Sequence, residues 1–217
     1  MADSIQINKE LFAELETPRT PYEMNEYFYY IFNAVQDSNE LKAEARLKKG
    51  GFKKFLEEFY PLYCYSQSRY CDGNSQLNII LGNQGFDAVS VQPDGSETFF
   101  EITSFVEGAK QNKNAIELNT KGITSLNNLD DDVIEEYKQG IIKNLEKKGL
   151  KDYTGIYLIL VVDTSLHFEV LDENSDEFIQ IIISMINKMD FTFKGIYLLH
   201  EVGNAKYNID KYFYKIK

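Results

Sequence analysis

The chain has no tryptophan, two histidines and only two cysteines. Six residues separate Cys64 from Cys71 and no histidine cluster accompanies them, so the sequence predicts neither a disulfide framework nor a zinc site. Two free, buried or half-buried thiols are expected instead. Neither His167 nor His200 has a serine or cysteine at nucleophile-elbow spacing nearby, which argues against a hydrolase triad.

Long apolar runs are also missing. The first sixteen residues lack the basic region and apolar run of a signal peptide, and later apolar runs are too short to span a bilayer. We therefore expect no membrane association and a cytoplasmic location.

The Gly-Asn-Gln-Gly segment at 82–85 lacks the lysine and helix that follow a phosphate-binding loop, so nucleotide-cofactor chemistry has no support in the sequence.

Basic residues are in deficit, with 23 Lys and Arg against 34 Asp and Glu and a net charge of −11. This charge opposes nonspecific attachment to nucleic acid and favours a basic protein partner. One local exception is a basic cluster, which we interpret as a solvated helical face or as the first place to seek a phosphate contact. Its members are Lys42, Arg46, Lys48, Lys49, Lys53 and Lys54.

The remaining composition is that of a folded domain, with 43% apolar residues and fifteen each of Tyr and Phe to form a core. We predict one domain over 1–217, with a helical part at about 1–70 and a sheet-containing core at about 75–217. Thr20-Pro21 predicts the start of an aromatic-rich helix. Pro61 predicts a bend or an end in the helix that begins near Phe52.

The core of the chain combines strand and helix patterns. Short β-rich runs at 77–81, 86–91 and 98–103 surround a Pro-Asp-Gly-Ser hairpin turn at 93–96. Helices are expected at 106–118 and 132–148. Two apolar strands at 156–163 and 195–202, joined by a helix at 176–189, indicate a βαβ unit, and 211–217 favours an edge strand. The fold class that follows is α/β, with a mixed sheet of about five strands flanked by helices.

Asp87, Glu101 and Thr103 are the residues that point to chemistry. Asp87 opens one strand, and Glu101 and Thr103 share one face of the next, so the two carboxylates can meet across the strands. Such a pair can bind Mg²⁺ and leave positions for water and a phosphate oxygen. The alternative is structural: Asp87 caps a strand end, Glu101 accepts hydrogen bonds from a helix, and Thr103 is a good strand residue.

The pattern of Asp87, thirteen residues, and then Glu101-Ile102-Thr103 resembles the core of the PD-(D/E)xK nuclease superfamily. The resemblance implies a restriction-endonuclease-like fold and magnesium-dependent cleavage of DNA or RNA. The Glu117-Leu118-Asn119 stretch with Gly122 is in addition similar to a group of bacterial proteins with an E-x-T strand.

Thr103 departs from this family, because an active member carries a lysine there to stabilise phosphate charge. The resemblance then implies a lysine recruited from a helix, for which the candidates are Lys110, Lys113, Lys143 and Lys147. We predict Asp87, Glu101, Thr103, Lys113 and Lys143 as the catalytic set. The metal ligands are predicted as Asp87, Glu101 and a helical glutamate, Glu57, with Glu58 as its alternative.

Two functions follow from the sequence. The first is a metal-dependent nuclease that uses Mg²⁺ to cleave nucleic acid. The alternative is a noncatalytic interaction protein with a nuclease-like fold, which binds a basic protein partner in bacterial or phage conflict. The nuclease requires Asp87 and Glu101 to converge with a lysine in an open, electropositive cleft, whereas separated carboxylates or a buried, closed site would favour the binder.

Overall fold

The computed structural model describes residues 8–82, 84–105, 108–122, 131–164, 173–201 and 208–217. Asn83, His167 and the first two residues of the helix predicted at 106–118 lie outside these ranges. No helix within them is both long enough and apolar enough to cross a membrane.

The helices are α1 (Pro21–Asp37), α2 (Asn39–Arg46), α3 (Phe52–Lys54), α4 (Tyr60–Ser66), α5 (Gly108–Lys121), α6 (Asp131–Gly149), α7 (Glu173–Lys188) and α8 (Ile209–Tyr212). A π-helical segment, Phe55–Phe59, joins α3 to α4. The strands are β1 (Gln76–Ile79), β2 (Ala88–Val91), β3 (Glu97–Ser104), β4 (Ile156–Asp163), β5 (Gly195–Glu201) and β6 (Phe213–Lys215). The α/β class and the mixed sheet are confirmed, and the predicted edge strand is β6.

The start of α1 at Pro21 follows from its capping. The Thr20 hydroxyl accepts a hydrogen bond from the Glu23 backbone N–H, and the Glu23 carboxylate accepts one from the Thr20 N–H at 2.7 Å. This reciprocal capping box satisfies two backbone donors that the first helical turn leaves without partners.

Pro61 was predicted to bend or to end its helix. The helix does not end there but continues to Ser66. The wider π-helical turn precedes the proline, and in it the Tyr60 N–H donates to the Phe55 carbonyl. In a regular α-helix the proline ring would collide with the carbonyl four residues earlier. The π turn moves that carbonyl aside, and such turns recur at functional sites.

The six strands form one open sheet in the order β1-β2-β3-β4-β5-β6. Strands β3, β4 and β5 are parallel, and the other neighbours are antiparallel. The predicted βαβ unit is β4-α7-β5. The hairpin between β2 and β3 turns at Gly95, whose φ of 82° suits glycine, while the Ser96 N–H donates to the Asp94 carboxylate at 2.9 Å.

Each face of the sheet covers a separate hydrophobic cluster. The first packs α1, the π-helical segment and α4 against side chains that include Phe100, Ile102 and Ile159. The second packs α6 and α7 against Leu158, Leu160 and their neighbours. Both predicted thiols are free, with Cys64 buried and Cys71 half-buried. Because side chains of β3 alternate between the two faces, Glu101 and Thr103 lie on the face that α6 covers.

Candidate active site

The candidate site lies where β2 begins against β3. The Asp87 backbone N–H donates to the Phe100 carbonyl at 2.8 Å, and its carboxylate Oδ2 accepts from the Ile102 N–H at 2.8 Å. Asp87 therefore contacts the β3 backbone on both sides of Glu101. The carboxylate takes the place of a strand partner at this end of β2, and it brings Asp87 next to Glu101 as the strand pattern predicted.

Helix α6 lies on β3 through residues spaced four apart. Gly140 faces Phe105, Asn144 faces Thr103, and Lys148 faces Glu101. Four residues of helix advance about 6 Å and two residues of strand about 6.7 Å, so these three pairs stay in step. The Asn144 amide donates to Thr103 Oγ1 at 3.4 Å and to the Ser104 carbonyl at 3.2 Å. A polar row thus runs between helix and strand.

Lys148 forms an ion pair with Glu101, and both side chains are largely buried, at 19% and 12% exposed. The Tyr153 hydroxyl donates to the same Glu101 oxygen at 3.3 Å. Burial, together with the Glu101 carboxylate and then Asp87, raises the pKa of Tyr153 to about 12. Tyr153 therefore stays protonated at neutral pH and holds Glu101 in place as a hydrogen-bond donor.

Glu58, in the π-helical segment, carries an acidic side chain whose charge interacts with that of Asp87. Its Oε1 accepts from Lys54 at 2.5 Å, whereas its buried Oε2 has no hydrogen-bond partner among the described residues. Burial raises the pKa of Glu58, Lys54 opposes the rise, and the Asp87 carboxylate adds to it. An unsatisfied buried carboxylate oxygen is costly unless a cation or proton reaches it.

Glu57 points elsewhere. Its carboxylate pairs with Lys48 at 2.9 Å. It lines an open cavity of about 380 Å³, together with Ser104, Phe105, Gly140, Lys143, Asn144 and Lys147. We call this space the lysine cavity. The structure therefore places Lys143 and Glu57 in the lysine cavity, and among the described residues neither makes a hydrogen bond or ion pair with Asp87, Glu101 or Thr103.

Lys113 lies on α5 with an exposed side chain, and among the described residues it makes no hydrogen bond or ion pair with Asp87 or Glu101. The side chain of Lys110 is outside what the structure describes. The lysine that does reach Glu101 is Lys148, which sequence reasoning missed. A signal was present: Tyr137, Ile141 and Leu145 form the buried stripe of α6, and Lys148 continues that stripe at helical spacing.

The predicted basic cluster is largely engaged with neighbours. Lys48 pairs with Glu57, Lys54 pairs with Glu58, and Arg46 donates to Asn119 at 3.0 Å. A cation whose charge is matched by a carboxylate attracts phosphate weakly. This cluster therefore offers less free positive charge than its sequence suggests.

The described part of the chain contains no group of three or more His, Cys, Asp and Glu side chains arranged to hold a metal ion. Asp87 and Glu101 nevertheless supply hard oxygen ligands side by side, and Mg²⁺ is commonly held by one or two carboxylates with water and phosphate completing the shell. Two carboxylates on adjacent strands are donors of the kind that Mg²⁺ takes, and Glu58 Oε2 is a further buried carboxylate oxygen without a hydrogen-bond partner among the described residues.

Comparison with protein-family models, with curated proteins and with solved structures finds no match to this chain.

Proposed function

We propose that this protein is a metal-dependent nuclease in which Lys148 supplies the positive charge that Thr103 lacks. The observation that carries the proposal is the contact of Lys148 with Glu101, beside Asp87. A lysine two positions after Glu101 would project from the same face of β3, toward α6. Lys148 extends to that face of β3 from α6, so its ammonium group lies in the region where a lysine at position 103 would put its charge.

The order of elements also supports a restriction-endonuclease-like core. A helix carrying Glu58 precedes β1, β2 and β3, and helices then lead to the parallel strand β4. This order approximates the αβββαβ core of the superfamily that the sequence resembles, with two helices instead of one between β3 and β4. The charge of the glutamate on the preceding helix interacts with that of Asp87, as the resemblance leads us to expect.

Asp87 and Glu101 would hold Mg²⁺, with Glu58 beside them. A divalent cation bound there would lower the pKa of a bound water and stabilise charge on a phosphate oxygen. With a phosphate bound to that cation, the ammonium group of Lys148, which contacts Glu101, would stabilise the negative charge that develops on the phosphate. Tyr153 and Asn144 are positioning residues: Tyr153 orients Glu101, and Asn144 fixes Thr103 against α6.

The test combines cleavage with metal binding. Single- and double-stranded DNA and RNA are incubated with Mg²⁺ or Mn²⁺ and wild-type protein, Asp87→Asn, Glu101→Gln or Lys148→Gln. We expect each substitution to slow cleavage by about 100-fold or more. Titration with Mn²⁺ separates the roles: Asp87→Asn and Glu101→Gln lose metal binding, whereas Lys148→Gln retains it.

Lys151→Gln is the matched control, since Lys151 is an exposed lysine just after α6. It should cleave like the wild type. Circular dichroism on every variant separates loss of function from loss of fold, because removing one partner of a buried ion pair costs roughly 3–5 kcal/mol. Wild-type protein that cleaves none of the four substrates would refute the proposal.

The second candidate, a noncatalytic binder of a basic protein, is favoured by an acidic cleft in the helical part. A cavity of about 560 Å³ there is lined by Glu14, Glu23 and Glu26 and by the exposed ring of Tyr30. Carboxylates and tyrosine rings together suit lysine and arginine side chains. Absence of cleavage with intact folding would favour this function.

A further inference from the structure

The lysine cavity holds positive charge that the catalytic proposal does not use. Lys143 and Lys147 both line it from α6, with exposed side chains. Neither makes an ion pair with a described residue. Glu57, which also lines the cavity, is neutralised by Lys48 at 2.9 Å. The described residues that line the cavity therefore carry two positive charges without a matching carboxylate, in a chain whose net charge is −11.

The cavity is also aligned with the candidate site. Lys148 faces Glu101 at one end of the polar row, and Gly140 faces Phe105 at the other. Lys147 and Lys143 lie one helical turn apart on the adjacent side of α6, so they follow the same direction. Asn144 contributes an amide, and the half-buried Phe105 contributes an aromatic ring at the far end.

We propose that the lysine cavity binds a backbone phosphate of the nucleic-acid strand next to the phosphate held at Asp87 and Glu101. Lysine acts as a point charge for phosphate, and each neutralised phosphate releases counterions. The ring of Phe105 offers a surface for a neighbouring base. This inference rests on the proposed nuclease function and names a substrate contact that keeps the strand in place.

The test measures binding without cleavage. A short fluorescein-labelled oligonucleotide, single-stranded or duplex, is titrated with protein in EDTA at several salt concentrations and followed by fluorescence anisotropy. We expect Lys143→Gln/Lys147→Gln to weaken binding about tenfold or more at low salt. The slope of log K against log salt should become shallower by about 1.4 for the single strand, which is about 0.7 per lost contact.

The matched control is Lys151→Gln/Lys188→Gln, which removes the same charge from two exposed lysines outside the cavity. Its salt slope should equal that of the wild type. In the cleavage assay the cavity variant should raise KM and leave kcat nearly unchanged, because the contact is present in both ground and transition states.

The inference would be overturned if the salt slope of strand binding were unchanged in the cavity variant, or if the control variant changed it equally. It would also be overturned if the two lysines were needed to bind a free nucleoside monophosphate while their loss did not change binding of the strand. Failure here differs from failure of the nuclease proposal. If the protein binds the strand through Lys143 and Lys147 but cleaves nothing, the phosphate contact in the lysine cavity stands and the nuclease proposal fails. If the protein cleaves equally well with and without these lysines, the nuclease proposal stands and the phosphate contact fails.

Discussion

At the scale of single residues, Glu201 shows how burial and charge decide a protonation state. It lies at the end of β5, at the edge of an apolar cavity that also includes Phe28 and Phe55. Burial and, to a smaller extent, the charge of Asp163 raise the pKa of Glu201 to about 7, and Lys48 opposes the rise. The folded state therefore holds a proton that the unfolded chain releases at its ordinary, lower pKa.

Glu201 predicts a pH-dependent gain from substitution. Between the unfolded pKa and about pH 7 the folded protein binds more protons, so the free energy of unfolding falls as pH rises through this interval. The side chain in Glu201→Gln does not titrate, so the variant does not lose this part of the free energy of unfolding as pH rises. We expect the variant to be more stable than the wild type by roughly 1–3 kcal/mol at about pH 8, with a much smaller difference at about pH 5, in urea unfolding.

The neighbouring His200 makes the comparison with wild type necessary. Burial lowers the pKa of His200 to about 4, although Asp176 and Asp163 oppose the shift. Because of this histidine, the free energy of unfolding falls as pH drops below the unfolded pKa of His200. Glu201 changes the free energy of unfolding in the opposite direction over part of the same pH range. Subtracting wild type from variant at each pH isolates Glu201, and an equal difference at both pH values would contradict the assignment.

At the scale of elements, the docking of α6 on β3 places every residue of the catalytic proposal except Asp87, Glu58 and Tyr153. Gly140 permits it, because a Cβ at that position would lie 2.1 Å from the Phe105 ring. The ring also packs on Tyr137, with centroids 5.7 Å apart. Any side chain at 140 therefore pushes α6 outward or turns Phe105 away from Tyr137.

Gly140→Ala tests this docking, because we expect it to destabilise the protein although a glycine-to-alanine change in a helix ordinarily stabilises it. In an exposed helix the change would stabilise by up to about 1 kcal/mol. Here we expect overpacking to dominate and to lower the free energy of unfolding by about 1–2 kcal/mol, measured by urea unfolding. Gly149→Ala is the control, since a Cβ there meets Phe191 at an ordinary 3.5 Å. Equal effects at the two glycines would refute a close contact between α6 and Phe105.

The same element shows what sequence could and could not predict. The hairpin and the alternation of β3 depend on local patterns, so the adjacency of Asp87 and Glu101 followed from the turn at Gly95 and the strand period. The seat of α6 on β3 depends on long-range packing. Sequence reasoning therefore chose Lys143 on the exposed side of α6 and passed over Lys148 on its buried stripe.

Local propensity predicted only part of the π-helical segment. Pro61 predicted a bend or an end of the helix; the helix does not end there, and one widened π turn lies directly before the proline. That turn decides which glutamate faces the site, since Glu57 pairs with Lys48 while the charge of Glu58 interacts with that of Asp87. A helical spacing counted from sequence alone does not include the extra residue of a π turn.

At the scale of the whole molecule, one sheet separates two hydrophobic clusters and carries the site on one face. The first cluster positions Glu58, and the second holds α6 against Glu101 and Thr103. The acidic net charge of −11 leaves the lysines of α6 as a local exception on this face. Substrate approach is therefore expected to be directed by a small region and not by the average field of the protein.

The most direct test of the account asks whether a lysine at position 103 can replace Lys148. Cleavage with Mg²⁺ is compared for wild type, Lys148→Gln, and Lys148→Gln/Thr103→Lys. We predict that the single variant loses about 100-fold or more in rate and that the double variant recovers to within about tenfold of wild type, because the charge returns to the same face of β3. Cleavage by Lys148→Gln at the wild-type rate, or no cleavage by the wild type itself, would contradict it.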